Sequence, residues 1–314
     1  MQTLTVVVPA YNESEGLREF HARLATVLDK LDLAASVLYV DDGSRDDTWK
    51  VIGALGETDA RAGGLRLSRN FGKEIAMTAG LDQADADAVI VIDADLQDPP
   101  ELIPEFVRLW REGYDVVYGT RSSRAGESRL KKATAAAFYR VMERMSSTPV
   151  PRDTGDFRLL SRRALDALKQ VRERQRFMKG LFAWVGFRQK AVAYDRDPRF
   201  AGASKFNYWR LWNFALEGIT SFSGVPLKVA TYIGTAAALL AFLFGLFVLA
   251  KAILFGDPVR GYPTLMVVIL FLGGLQLMAL GMIGEYLGRL YMEAKQRPLY
   301  FIDERRESRS RNAG

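Results

Sequence analysis

Residues 88–100 read AVIVIDADLQDPP, and this stretch decides the interpretation of the fold. Val89–Ile92 is a continuous run of β-branched residues, which is typical of a strand buried on both faces of a parallel sheet. Asp93 and Asp95 follow directly, so the run predicts a buried strand whose carboxyl end carries two carboxylates. A proline pair and a helical pattern over Glu101–Arg111 come next, as expected where a strand connects to a helix.

The same alternation of strand and helix surrounds this run. The β-rich runs are Thr3–Val8, Val37–Val40, Leu65–Leu67, Val89–Ile92 and Val116–Tyr118, and the helical patterns are Ser14–Leu31, Asp47–Leu55, Lys73–Ala84, Glu101–Arg111 and Arg129–Met145. This order predicts an α/β domain with a mainly parallel sheet, in which ligands bind beyond the carboxyl ends of the strands. Polar clusters follow the runs at that edge: PAYNE at 9–13, DDGS at 41–44, SRNFGKE at 68–74, DADLQDPP at 93–100 and GTRSSR at 119–124.

The composition excludes several kinds of site. The chain has no cysteine and one histidine, which rules out disulfides, zinc–thiolate sites and thiol nucleophiles. His21 falls in a predicted surface helix, and we expect it to have no chemical role. No G-x-G-x-x-G follows the first strand, and Gly72-Lys73 is followed by Glu74, so neither a dinucleotide fingerprint nor a P-loop is present. A metal would therefore be held by oxygen ligands, which suits Mg²⁺ or Mn²⁺.

The carboxylates at the strand ends are the candidates for chemistry. Asp93 and Asp95, at positions i and i+2 after a buried strand, are placed to hold a divalent cation that bridges a diphosphate and neutralises the charge of a leaving nucleoside diphosphate. Asp41 and Asp42 precede Gly43-Ser44, where they form a turn and helix cap or accept from a base or ribose; Asp42 is the better candidate for the second role. At the first strand, three residues are predicted to shape the base pocket: Pro9, Tyr11 and Glu13.

The C-terminal third has a different character. Val229–Ala250 and Thr264–Gly284 carry no formal charge and are each long enough to span a bilayer, so residues 227–290 are predicted to form a two-helix transmembrane hairpin. Basic residues flank the pair, which places both flanks in the cytoplasm and the short loop on the far side. Residues 201–226, rich in aromatic side chains, are predicted to form an amphipathic helix at the membrane interface. We expect residues 1–200 to form the cytoplasmic domain.

Residues 291–314 are predicted to be a cytoplasmic tail. The end of this tail, from Asp303, is rich in arginine and serine, and we expect it to be disordered or to lie on anionic lipid. The formal net charge of +6 suits an anionic partner, but much of the excess lies in flanking segments rather than on one helix, so no nucleic-acid partner is expected. Glycines at 273, 274, 281 and 284 permit close helix contacts, which makes a homo-oligomer plausible.

The ordered set of motifs PAYNE, DDGS, RNFGKE and DADLQDPPE resembles the inverting family 2 glycosyltransferases. Three further matches narrow the resemblance to the polyprenyl-phosphate branch, which includes dolichol-phosphate mannose synthases and bactoprenol glucosyltransferases: GDFRL at 155–159, RFMKGLFAWVGF at 176–187 and RFAGASKF at 199–206. The two-span C-terminus is most similar to the bactoprenol glucosyltransferase type. The resemblance runs over nearly the whole chain and implies a Rossmann-like nucleotide-sugar-binding domain of the GT-A type.

The resemblance also implies roles for individual residues. Asp93 and Asp95 match the metal-binding pair, Asp42 the nucleotide contact and Asp156 an acidic residue beside the acceptor. The predicted nucleotide-sugar set is Pro9, Tyr11, Glu13, Asp42, Lys73, Asp93, Ala94, Asp95, Gln97 and Arg121; the predicted acceptor-phosphate set is Arg121, Arg199, Ser204 and Lys205; and the predicted catalytic set is Asp95, Asp156, Arg199 and Lys205.

The chemistry of the implied acceptor leaves the role of Asp156 open. A phosphate monoester is already anionic at neutral pH, so it hardly needs a general base, and Asp156 either takes a proton or orients basic residues. Attack by the phosphate opposite the departing diphosphate would invert the anomeric centre without a second carboxylate nucleophile.

Other readings of the chain remain open at this stage. UDP-glucose is the first expectation for the donor; UDP-N-acetylglucosamine, UDP-galactose, a modified UDP-sugar and GDP-mannose remain alternatives. A processive synthase is disfavoured because Q-x-x-R-W is missing. A non-catalytic membrane-anchored sugar-nucleotide sensor is a further alternative.

Overall fold

The computed structural model describes residues 1–121, 154–174, 176–195, 225–255 and 261–309. Several of the sequence predictions lie outside these residues: the helix Arg129–Met145, the interfacial segment 201–226 except for its last two residues, and three of the predicted acceptor-phosphate residues, Arg199, Ser204 and Lys205.

The N-terminal region is an α/β domain around one eight-stranded sheet. Its strands are β1 (Thr3–Ala10), β2 (Ala34–Asp41), β3 (Ala62–Leu67), β4 (Ala88–Val91), β5 (Val116–Arg121), β6 (Thr154–Ser161), β7 (Gln189–Tyr194) and β8 (Ile302–Arg306). Its helices are α1 (Leu17–Leu28), α2 (Thr48–Thr58), α3 (Lys73–Gln83), α4 (Ile103–Arg111, after a 3₁₀ turn), α5 (Arg162–Gln170) and α6 (Met178–Trp184). The order in the sheet is β7-β5-β6-β4-β1-β2-β3-β8.

The strand order creates a crevice at the middle of the sheet. β1 pairs in parallel with β2 on one side and with β4 on the other, so the chain moves outward from β1 through β2 to β3 and then crosses back to β4, on the other side of β1. Such a reversal opens a crevice at the carboxyl ends of the two strands, where open α/β sheets bind their ligands. The loops after β1 and β4, which contain PAYNE and DADLQDPP, flank this crevice.

Helices cover both faces of the sheet. Alternate residues of β1 point to opposite sides: Leu4, Val6 and Val8 pack with α1, α2 and α4, whereas Val7 packs with α3, α5 and α6. Because both faces are buried, the central strands are nearly continuous apolar runs, and that pattern made them visible in the sequence. His21, predicted at a surface, is buried in α1, with its Nδ1 2.8 Å from the Tyr39 hydroxyl.

The five predicted strands are confirmed, and the structure adds three more. β6 lies between β4 and β5 and is antiparallel to both, while β8 runs antiparallel to β3 at the sheet edge. Every residue of β6 is buried, including two charged ones, so TGDFRLLS shows neither alternation nor a plain apolar run. β8 has the sequence IDERR and is exposed along its length, which means that pairing with β3 rather than a hydrophobic pattern makes it a strand.

Two long helices follow the domain. Val225–Phe255 forms α7 and Tyr262–Ala294 forms α8, and they contain the two predicted apolar runs. Within the described residues, one stretch, Phe271–Ala294, is long and apolar enough to cross a membrane, with a mean hydropathy of 1.2; Tyr232–Phe244 is apolar but shorter. Large apolar side chains such as Phe242 and Leu277 face outward on these helices.

The tail differs from its sequence expectation of disorder or lipid contact. After α8 ends at Ala294, the chain turns back and residues 302–306 join the eight-stranded sheet as β8. Ser68 N–H donates to the Phe301 carbonyl at 3.0 Å, and the Tyr300 hydroxyl donates to Asp82 Oδ2 at 3.0 Å. Residues 300–308 are therefore part of the domain fold.

Candidate active site

A lysine held between two carboxylates lies at the carboxyl edge of the sheet. In the antiparallel pair β4–β6, Val91 stands opposite Arg158, and continuing this register by two residues brings Asp93 opposite Asp156. Lys73, the first residue of α3, reaches between them: its Nζ is 2.6 Å from Asp93 Oδ2 and 2.6 Å from Asp156 Oδ2. Three segments far apart in sequence therefore meet in one charged cluster.

Electrostatics keeps Lys73 and Asp156 ionised. Burial works against the charge of Asp156, but Lys73 and Lys179 outweigh it and hold the pKa of Asp156 below its usual range. Burial acts to lower the pKa of Lys73, yet the two carboxylates more than reverse this and raise it. Burial raises the pKa of Asp93. The positive charge of Lys73 acts to lower this pKa, whereas the negative charge of Asp156 acts to raise it further. Lys73 is thus a fixed positive charge with an ionised Asp156 beside it.

Asp156 has one oxygen to spare. Its Oδ2 accepts from Lys73, whereas its Oδ1 is buried and has no hydrogen-bond partner among the residues that the structure describes. An unsatisfied buried acceptor is unfavourable by about 1–3 kcal/mol, and such atoms are found at sites that receive a ligand or a water. Asp156 is therefore poised to accept one more donor.

Asp42 positions the loop that carries Lys73. Its Oδ1 accepts from Phe71 N–H at 2.7 Å and its Oδ2 accepts from Gly72 N–H at 2.8 Å. Gly72, with φ of 99°, then enters α3, a backbone conformation that favours glycine. In this arrangement both oxygens of Asp42 are used by backbone, so its predicted contact with a nucleotide stays a prediction while its role as a loop anchor is visible.

Close packing of neighbouring loops demands a glycine in DDGS. Gly43 has φ of 65°, and a Cβ there would lie 2.5 Å from the Arg69 carbonyl carbon. The PAYNE and DDGS loops are also joined, because Asn12 N–H donates to Ser44 Oγ at 2.9 Å and Arg45 N–H donates to Asn12 Oδ1 at 2.9 Å. The polar loops after β1, β2 and β3 therefore form one connected rim.

Replacing Asp42 with asparagine tests the loop anchor. The amide offers one acceptor where the carboxylate offers two, and a hydrogen bond to a charged group contributes about 1.5–3 kcal/mol. We expect faster amide hydrogen exchange at Phe71 and Gly72, by roughly tenfold or more. Exchange mass spectrometry of a peptide spanning residues 69–73 measures this, with Asp29→Asn as an exposed control. Unchanged exchange in Asp42→Asn would show that the loop does not depend on this carboxylate.

The predicted metal ligands fit a hard cation whose remaining coordination positions are filled by substrate phosphates and waters. Asp93 and Asp95 follow β4 directly and offer only oxygen donors, and Asp93 already accommodates a positive charge at 2.6 Å. No group of three or more potential ligand side chains of the His, Cys, Asp and Glu types is found within the described ranges. Mg²⁺ is commonly bound by one or two carboxylates together with substrate phosphates and waters, so two carboxylates suffice for such a cation.

The remaining predicted residues are distributed along the same edge. Pro9 is buried at the end of β1, Tyr11 is 36% exposed, and Glu13 N–H donates to Thr48 Oγ1 at 3.0 Å. Ala94 is buried between the two aspartates, and Gln97 N–H donates to Asp95 Oδ1 at 3.1 Å. Arg121 ends β5.

Sequence reasoning assigned no role to three charged residues beside the cluster. Burial raises the pKa of Glu74 to about 7, and its Oε2 accepts from Met178 N–H at 3.1 Å. Burial lowers the pKa of Arg158 to about 10, and its guanidinium lies 3.8 Å from the centre of the Phe182 ring. Lys179 is half-buried on α6, and burial lowers its pKa. All three lie within motifs already noted, but spacing alone does not show that these motifs meet.

Comparison with known families identifies the chain as a glycosyltransferase. The model of the family described as glycosyl transferase family 2 matches residues 5–169, more than half of the chain, and the chain belongs to this family. A second model, described as the GtrB C-terminal hairpin, matches residues 225–290, the region of α7 and α8. The predicted resemblance to the polyprenyl-phosphate branch is therefore confirmed.

Relatives share this organisation over nearly their whole length. A bactoprenol glucosyl transferase of Shigella phage SfV is 46% identical over 304 residues, covering 97% of this chain and 99% of the relative. An uncharacterised glycosyltransferase of Synechocystis sp. is 54% identical over 301 residues, covering 96% of this chain and 95% of the relative. Among solved structures, mannosyl-3-phosphoglycerate synthase from Rubrobacter xylanophilus is 19% identical with a TM-score of 0.48, covering 70% of this chain and 72% of that one.

Proposed function

We propose that the protein transfers glucose from UDP-glucose to the phosphate of undecaprenyl phosphate, giving a lipid-monophosphate-linked sugar. The observation that carries the proposal is the Lys73 ammonium between Asp93 and Asp156, 2.6 Å from each, at the ligand-binding edge of the sheet. The names of the relatives, bactoprenol glucosyl transferases at 46–47% identity, support both the sugar and the lipid. Membership of family 2 supports the transfer of a glycosyl group.

The proposed reaction is a single displacement. A phosphate oxygen of the acceptor forms a bond to the anomeric carbon while the bond from that carbon to the diphosphate breaks, and its electron pair leaves with the diphosphate. No proton has to be removed from the phosphate, since it is already anionic. The chemical difficulty is to bring two anions together, and fixed positive charges such as Lys73 reduce that repulsion. Asp156 then serves to hold Lys73 rather than to take a proton.

A divalent cation, Mg²⁺ or Mn²⁺, is proposed as cofactor on Asp93 and Asp95. Bound there, it would neutralise the negative charge of the departing nucleoside diphosphate. The chain's own contribution is to hold Asp93 at the end of a buried strand and Asp95 in a loop closed by the Gln97 N–H. The acceptor phosphate is assigned to Arg121, Arg199, Ser204 and Lys205, as the resemblance predicts.

The proposed location is the inner (plasma) membrane. The helices α7 and α8 are interpreted as two spans, with the catalytic domain and both termini in the cytoplasm and residues 201–226 at the interface. The outward-facing apolar side chains of both helices support membrane contact, because exposed apolar surface of this extent is unfavourable in water. A Cβ added at Gly273, Gly274, Gly281 or Gly284 would meet nothing within 4 Å, which leaves that surface open to another helix. The homo-oligomer stays a prediction.

A transfer assay with purified full-length protein tests the reaction. The protein in nanodiscs receives undecaprenyl phosphate, Mg²⁺ or Mn²⁺ and one donor at a time: UDP-glucose, UDP-N-acetylglucosamine, UDP-galactose or GDP-mannose. We expect a hexosyl-phosphoryl lipid from UDP-glucose, detected by mass spectrometry and lost with a chelator. If only another donor gives product, the proposed reaction stands and that donor's sugar replaces glucose in the proposal. Absence of any lipid product would refute the acceptor assignment.

Sealed vesicles test the orientation in the same assay. Nucleotide-sugars do not cross bilayers, so we expect product when they are added to inside-out vesicles and none with sealed right-side-out vesicles. Detergent permeabilisation should restore activity to the second preparation, which controls for the amount of enzyme. Activity in intact right-side-out vesicles would place the catalytic domain on the opposite face.

A further inference from the structure

The C-terminal strand contacts the catalytic domain through specific side chains as well as through backbone. Glu304 stands directly opposite Arg66 in the β3–β8 register, and its Oε1 is 3.1 Å from Arg66 Nη1. Its other oxygen, Oε2, accepts from Trp49 Nε1 at 2.9 Å. Trp49 is nearly fully buried on α2, so one carboxylate of the tail joins the helix α2 to the strand β3.

Arg66 connects Glu304 to the rim formed by the loops after β1, β2 and β3. Its Nε lies 3.5 Å from Asp41 Oδ2, and Asp41 is fully buried at the end of β2. The other oxygen of Asp41 accepts from Ser44 N–H at 3.0 Å, and this bond fixes the turn of the DDGS loop. The DDGS loop lies between β2 and α2, so Glu304 is connected to it from both sides: through Arg66 to Asp41, and through Trp49 to α2.

An edge strand could serve only to cover the open side of a sheet and prevent aggregation. That role requires backbone pairing and needs no connection from the strand to the DDGS loop at the end of β2. Here the connection is made in two ways. The Arg66 guanidinium forms an ion pair with buried Asp41 at 3.5 Å, which supplies charge attraction without a hydrogen bond to Asp41 Oδ2 among the described residues. The buried Trp49 indole donates a hydrogen bond to Glu304 at 2.9 Å, and this charge-assisted bond fixes the orientation of both groups.

We propose that Glu304 is a positioning residue of the donor site, through which the strand after the membrane hairpin holds the DDGS loop in its nucleotide-binding shape. The inference rests on the proposed function, because it takes the DDGS loop to be part of the nucleotide pocket. Seven residues, 295–301, separate the end of α8 from β8. Arg174 N–H also donates to Glu293 Oε1 at 2.5 Å, near the end of α8. The end of α8 is therefore also in contact with the segment that follows α5.

Binding of UDP to the full-length protein, followed by calorimetry, tests the inference. We expect Glu304→Gln to weaken UDP binding about tenfold and to raise KM for UDP-glucose by a similar factor, while kcat and KM for the lipid change less than twofold. Glu307→Gln, three residues further along the same exposed tail, is the matched control and should leave all four quantities unchanged. An unchanged UDP affinity in Glu304→Gln would overturn the inference.

A second variant displaces the strand without touching Glu304. A Cβ at Gly63 would lie 2.9 Å from the Arg306 carbonyl oxygen and 3.0 Å from Ser308 N, both of them backbone atoms. We expect Gly63→Ala to push β8 away from β3 and to weaken UDP binding like Glu304→Gln, with the thermal unfolding midpoint recorded alongside. Full UDP affinity with a displaced β8, seen as faster amide exchange over residues 302–306, would contradict the inference.

A charge exchange separates positioning from strand pairing. The double variant Arg66→Glu/Glu304→Arg restores opposite charges across β3 and β8, so a purely structural pair would be rescued. A carboxylate at position 66 would face buried Asp41, and we therefore expect UDP affinity to stay low. Recovery of affinity would refute the positioning role.

If the wild type binds UDP and forms no lipid product while Glu304→Gln still loses affinity, the proposed function fails and this inference stands. A wild type that binds neither UDP nor GDP refutes both.

Discussion

Asp93→Asn removes sugar transfer almost completely, with an expected fall in kcat/KM of about 10³-fold. Asp93 is the carboxylate at the end of β4, largely buried, and its Oδ2 holds Lys73 at 2.6 Å. The substitution keeps the shape of the side chain but removes the charge that is proposed to hold a divalent cation and that fixes the ammonium. Both effects weaken stabilisation of the departing diphosphate, which is where charge develops.

Two measurements accompany the activity assay. Binding of Mn²⁺, followed by electron paramagnetic resonance in the presence of UDP, should weaken in Asp93→Asn and persist in the control Asp166→Asn, whose side chain is exposed on α5 and pairs with Arg162. Circular dichroism should be the same for both variants. If Asp93→Asn retains more than about a tenth of wild-type activity, the carboxylate is not part of the catalytic machinery.

Asp156→Asn is expected to lower kcat/KM by about 10²–10³-fold. Asp156 is buried on β6, stays ionised because its pKa is held low, and shares Lys73 with Asp93. Without its charge, the ammonium is drawn toward Asp93 alone and leaves the position between the two strands. The same control, Asp166→Asn, should have wild-type activity.

Two outcomes distinguish an orienting Asp156 from a general base. An orienting carboxylate leaves the shape of the pH profile unchanged, so the residual activity of Asp156→Asn should follow the wild-type profile, whose acidic limb reports the acceptor phosphate. The double variant Asp156→Asn/Lys73→Met should lose little more activity than the worse single variant, because both act on one ammonium. Additive losses, or an acidic limb that vanishes with Asp156, would assign the proton-accepting role instead.

Much of the fold could be predicted because buried parallel strands have a recognisable sequence pattern. Runs such as Val89–Ile92 are apolar on both faces, and each is followed by a polar cluster at its carboxyl end. The parallel register then brings those clusters to one edge, so Lys73 and Asp93 could be assigned to a common site before the structure. Their direct contact depends on the side-chain reach of Lys73 from the start of α3, which spacing does not encode.

The antiparallel strands were beyond sequence reasoning for a physical reason. β6 buries Asp156 beside Lys73 and buries Arg158 against the Phe182 ring, and both partners lie on other elements of the fold. β8 is a charged segment that pairs with the free edge of β3 and is held there by partners such as Trp49 and Arg66. A composition rich in arginine and acidic residues favours disorder when such a partner is not visible. The prediction of disorder or lipid contact, which began at Asp303, was wrong for residues 303–306 for this reason.

The anomeric configuration of the product tests the central claim most directly. UDP-glucose labelled with carbon-13 at the anomeric carbon carries an α-linked sugar, and a single displacement by the lipid phosphate inverts it. Nuclear magnetic resonance of the purified lipid product should therefore show only β-linked glucosyl phosphate, formed by the wild type and not by Asp93→Asn. An α-linked product would show two displacements or a front-side attack. Either would contradict the account in which Lys73, Asp93 and Asp156 support one direct transfer to the lipid phosphate.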